Sequence, residues 1–203
     1  RSLPAATGEP LAVLPEGQRQ EPPGPGMVPS VERAAIVERN LANGVSVVAA
    51  QTGDVPIATM TVLVPGGSIS DPRMKAGLAN MAASIADQGT ADMSAQEIAQ
   101  KLESLGASFG ATAGSEGSFF SLTAPVANMA AAGEILAAVI KGATYPEDAF
   151  ERERKRAIDG LAVSLKDPGA LAGMVARPVL YGDAPYGTLP GGTQASLASL
   201  TRE

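Results

Sequence analysis

The chain has 203 residues, 45% of them hydrophobic and 3% aromatic, with a net charge of −6 and neither histidine nor cysteine. Without histidine there is no Ser-His-Asp triad, no imidazole base and no imidazole metal ligand; without cysteine there is no thiol nucleophile, disulfide or thiolate-held metal. The acidic balance argues against nucleic acid and anionic membranes as partners, and no apolar run is long enough to span a bilayer.

Residues 1–30 hold Pro4, Pro10, Pro15, Pro22, Pro23, Pro25 and Pro29 with glycines between them, and they contain no apolar stretch of the signal-peptide kind. Proline fixes φ and removes a donor, so this segment reads as a linker without helix or sheet, or as a disordered tail. Regular patterning begins at residue 31, and 31–203 reads as one domain. Residues 34–38 and 45–50 are strand-like and flank Asn43-Gly44, a turn pair. Residues 57–64 carry apolar side chains on both faces, which predicts a central strand. A helix over 77–88 places Leu78, Met81, Ala82 and Ile85 on one stripe. Ser94 and Glu97 form a capping box, and the helix that follows runs to Gly106. Two further strands, 107–113 and 118–124, are joined through 114–117 as a hairpin.

Three helices are then expected: 128–142; from Pro146 to about residue 165, with proline in the first turn; and 168–180, which Pro178 must kink or end. Residues 196–203 look like a helix just beginning, so the chain reads as part of something longer. Strands in runs, followed by helices, predict an α+β domain, a mostly antiparallel sheet with helices on one face. Gly66-Gly67 and Gly191-Gly192 lack phosphate-loop spacing and read as turns. The charge run at 151–156 reads as a solvated helix face with i,i+4 ion pairs. Tyr181, Asp183 and Tyr186 belong to an ordered loop, either a binding surface or rings packed on the last helix.

Gly77-Leu78-Ala79-Asn80-Met81-Ala82-Ala83-Ser84 with Gln88-Gly89-Thr90 resembles the first-helix region of the pitrilysin/insulinase (M16) metallopeptidases. There the helix carries His-x-x-Glu-His, two zinc ligands and a water-activating base. The resemblance extends in order through Leu41-Ala42-Asn43-Gly44, Gly66-Gly67-Ser68, Asp71-Pro72, Leu105-Gly106, Phe150-Glu151-Arg152-Glu153-Arg154, Asp167-Pro168 and Pro185-Tyr186-Gly187. Position by position, the first zinc histidine falls on Asn80, the base on Ala83, the second histidine on Ser84 and the third ligand on Gly160. None of these four can supply a charged ligand or a base.

The resemblance therefore implies an inactive M16 domain with no cofactor of its own, and makes the proline-rich segment 1–30 a hinge. It would complete a chamber and help bind an extended polypeptide, beside a zinc-bearing catalytic domain in the same chain or a second subunit. A free-standing binding or scaffold module of the same fold, and an unrelated α+β enzyme using carboxylates or tyrosine, are the alternatives. Gly110, Ala111, Thr112 and Ala113 correspond to the edge strand to which substrate adds in the family. Small side chains there leave backbone groups approachable, as strand addition requires, although close packing on a helix would also select them. The compartment is not readable from the residues, and the resemblance favours a bacterial periplasm or secretion.

Overall fold

The computed structural model describes residues 15–19, 23, 24, 26, 27, 34–51 and 53–202. The chain divides into two units, 1–54 and 55–203. The division lies after the first hairpin. Most of the proline-rich stretch lies outside the described residues. Its described part includes a 3-10 turn, Glu16–Gln18, where no element was expected; the Gln18 N–H donates to Pro15 O at 2.8 Å.

In the first unit, β1 (Ile36–Asn40) and β2 (Ser46–Ala50) pair antiparallel, Ile36 opposite Ala50. The turn is the one its residues dictate. Gly44 takes φ +86°, a left-handed value that glycine adopts without strain. Asn43 Oδ1 accepts from the Val45 N–H at 3.2 Å.

In the second unit, β3 (Ile57–Pro65), β4 (Ser108–Ala113) and β5 (Gly117–Pro125) form an antiparallel sheet in the order β3-β5-β4. The expected central place of 57–64 is thus corrected: β5 is central and β3 lies at an edge. Apolar side chains on both faces reflected something other than a central position. Val62 packs into the core, whereas Ile57 and Leu63 on the opposite face are 58% and 57% exposed.

The helices are α1 (Leu78–Ser84), α2 (Ala95–Ser104), α3 (Met129–Gly142), α4 (Glu147–Ser164), α5 (Pro168–Tyr181) and α6 (Gln194–Ser199). Helix α1 is shorter than the expected 77–88, because the backbone leaves helical geometry at Ile85, φ −118° and ψ 14°. The α2 capping box is complete: Ser94 Oγ accepts from the Glu97 N–H, and Glu97 Oε2 accepts from the Ser94 N–H at 2.8 Å. Pro146 is the N-cap of α4 and not its first helical residue. Helix α5 runs through Pro178 to Tyr181, since a proline in the last turn removes only one donor. Helix α6 begins and ends earlier than the expected 196–203. Thr193 caps it through Ser196, and Leu200 is extended and fully buried.

Two apolar clusters hold this unit. In the first, Ile98 and Leu102 of α2 and Ala132, Ile135, Leu136 and Val139 of α3 close over Leu122 and Ala124 of β5. These two helices therefore cover one face of the sheet. In the second, Met81 and Ile85 from the α1 region meet Phe150 of α4 and Leu197 and Leu200 of the α6 region. The second cluster fixes α1 against α4 and builds the site.

Candidate functional site

The start of helix α1 is held by Gly77, Asp71 and Ser196. Gly77, its N-cap, takes φ +96°, and a Cβ there would press on Leu197 and the Gly191 backbone. Asp71 accepts from the N–H groups of Gly77 and Ala79, both at 3.0 Å. Burial pushes the Asp71 carboxyl above its ordinary value, and the helix N–H bonds only partly oppose this. The Ser196 hydroxyl, buried in α6, donates to Ala76 O at 2.8 Å and ties the helix start to α6.

Helices α1, α4 and α5 and the 189–192 loop enclose a cavity of about 560 Å³. Asn80 and Ser84, one turn apart on α1, both line it. Each spends its donor inside the protein. Asn80 Nδ2 donates to Pro190 O at 2.7 Å, and Ser84 Oγ donates to Met81 O at 2.9 Å. Ala83 is buried off the cavity wall, 6% exposed. Gly160 also lies off the wall, on α4, where a Cβ would meet nothing within 4 Å. Of the four positions carried over from the metallopeptidase motif, the structure brings two to the cavity and leaves two beside it.

The cavity also holds residues that the sequence reading passed over. Glu153 and Arg156 of α4 line it as an ion pair of 2.7 Å, with Glu153 17% exposed and Arg156 74%. Arg177 of α5 lines it too; its Nε donates to Thr188 O at 3.3 Å. The 151–156 run is thus not a wholly solvated face. Arg154 also turns inward, donating to Leu200 O at 3.0 Å with its guanidinium 5.5 Å from the Phe150 ring centre. Its partner Glu151 and the pair Arg152–Asp148 stay on the surface. A lone arginine within the otherwise apolar 168–181 was the signal available for Arg177.

The described residues at the cavity do not fit zinc. An amide and a hydroxyl, each donating to a backbone carbonyl, stand where the family resemblance puts two imidazoles. Among the described residues no three carboxylates come together as a cation site.

Gly110, Ala111, Thr112 and Ala113 lie on β4, paired with β5 alone among the described strands; their partners are Ser121, Phe120, Phe119 and Ser118. A Cβ on Gly110 would meet nothing within 4 Å. The 181–187 loop is tied down on both sides. Tyr181 and Tyr186 stand 5.8 Å apart, Tyr186 donates to Glu116, and Arg73 pairs with Asp183 at 2.8 Å. The Glu116 carboxylate accepting that bond raises the Tyr186 phenol above its usual range. Among the described residues no helix is long and apolar enough to cross a membrane.

The sequence model of the insulinase (M16) peptidase family matches residues 46–173. The chain belongs to that family. An uncharacterized zinc protease of Mycobacterium leprae is 25% identical over 169 residues, and another of Rickettsia felis is 24% identical over 163. This chain spans 38% and 40% of the length of those two relatives. A peptidase M16 inactive domain from Pseudomonas fluorescens superposes with a TM-score of 0.76 at 26% identity, covering 82% of this chain and 40% of that one. Pitrilysin superposes with a TM-score of 0.68 at 23% identity, over 82% of this chain and 18% of its own, a likeness of fold. The α+β architecture and the M16 resemblance expected from the sequence both hold.

Proposed function

We propose that this chain is a non-catalytic M16 domain that helps hold an extended polypeptide for a zinc peptidase whose active site lies in another domain or subunit. One observation carries the reading: the M16 fold is intact, while the motif positions at the cavity, Asn80 and Ser84, serve as internal hydrogen-bond donors. A family scaffold without ligands or base retains binding surfaces but has no source of activated water. The inactive M16 domain of Pseudomonas fluorescens supports the same reading by likeness. Among the described strands β4 pairs on one side only, and its other edge offers backbone N–H and C=O groups for strand addition.

The test is binding and turnover measured together on one preparation. A fluorescent unfolded peptide should bind the purified chain with equal affinity in zinc and in chelator, and should not be cleaved. Absence of peptide binding, or metal-dependent cleavage that survives removal of contaminating protease, would overturn the proposal.

A further inference from the structure

Among the described residues, one charged side chain of the cavity beneath α1, Arg177, has no counter-ion. Glu153 and Arg156 neutralise one another. Arg177 is partly buried and uses its Nε on Thr188 O, and among the described residues no hydrogen bond or ion pair engages its two terminal nitrogens. A guanidinium with two parallel N–H groups free matches a carboxylate bidentately. The remaining walls are largely apolar, with Met81, Leu161, Met174 and Leu197 among them. The excess charge of the cavity is positive although the chain carries −6. A few placed polar groups in an apolar concavity of this size are the usual composition of a small-ligand site.

We propose that this cavity binds a monoanion made of one carboxylate and an apolar body, the carboxylate on Arg177 and the body against Met81, Leu161 and Met174. The ligand has two possible sources, the free C-terminus of a peptide ending in an apolar residue and a free small organic acid. The peptide source rests on the function proposed above; the small-acid source does not. Glycine at 173 leaves room in the wall, since a Cβ there meets nothing within 4 Å.

Calorimetry on the purified chain tests this with four probes: N-acetyl-leucine, its amide, and a short acetylated peptide ending in leucine as free acid and as amide. Each acid should bind at least about tenfold more tightly than its amide, and Arg177→Met should abolish that preference. Arg177→Lys should restore part of it, because a lysine lacks the fork. Gly173→Phe, which fills the cavity one helical turn from Arg177, should weaken acid and amide binding alike, and circular dichroism checks that each variant is folded. A free-acid peptide binding more tightly than N-acetyl-leucine identifies a peptide terminus as the ligand, and the reverse identifies a small acid. Equal binding of acid and amide, or a preference that survives Arg177→Met, overturns the cavity proposal. If the amidated peptide binds all the same, the peptide-holding function stands without it. If N-acetyl-leucine binds but no peptide does, that function fails and the small-acid site remains.

Discussion

Asn80 and Ser84 stand where the family resemblance puts two zinc ligands. Each side chain now closes a hydrogen bond with a backbone carbonyl, one of them tying α1 to the 189–192 loop. Because both line the cavity with Glu153, Asn80→His with Ser84→His should raise the chain's zinc affinity. Titration against a chromogenic chelator checks this, and adding Glu153→Gln should weaken the gain. Asp71 makes a second case. The Asp71-Pro72 pair did not reveal that the carboxyl would sit half-buried at the start of α1. Its raised pKa means that the folded state takes up the proton more readily than the unfolded chain. The stability this confers is full below the ordinary value of 3.8 and is lost as pH rises through the folded value. Asp71→Asn, neutral throughout, should flatten that part of the curve when urea midpoints are measured across the acid range. A wild-type stability that instead rises with pH, relative to the variant, would contradict the burial account.

At the scale of elements, local signals were legible where they act locally. Ser94 and Glu97 sit three apart and form both arms of the capping box. Ser94→Ala should cost about 1 kcal/mol of stability, read by chemical denaturation. The Glu97 carboxyl lies below its ordinary 4.5, chiefly through the Ser94 N–H, so its share of stability is present above that value and lost as pH falls through the folded one. Placement within the sheet was less legible. The two-faced apolar pattern of 57–64 could not reveal that β5, following β4 through a tight turn, would occupy the centre. Nor could a charge run reveal that Glu153 and Arg154 turn inward, because Leu200 O and the cavity arrive from residues far along the chain. On β4, adjacent N–H groups of an antiparallel strand point to opposite sides, so only one of Ala111 and Thr112 presents its donor to the open edge. Of Ala111→Pro and Thr112→Pro, one should unfold the hairpin and the other should leave the fold intact while weakening peptide binding. Two folded variants with unchanged peptide affinity would remove the edge from the account.

For the molecule as a whole, the M16 scaffold rests on its apolar core. The sheet and its two covering helices depend on an aliphatic core centred on Leu122, fully buried in β5. Leu122→Ala should cost about 2–5 kcal/mol, seen as a lowered thermal midpoint. The family order of motifs was readable along the chain because turns and caps keep their residue types. The cavity was not, because its walls come from four separated stretches, 77–84, 153–164, 170–177 and 189–197. The central claim, that this M16 scaffold no longer supports metal chemistry, is tested most directly by elemental analysis of the purified chain after equilibration with zinc and passage over a desalting column. The account requires zinc far below stoichiometric; about one tightly held Zn²⁺ per chain, as a three-ligand peptidase site would retain, contradicts it.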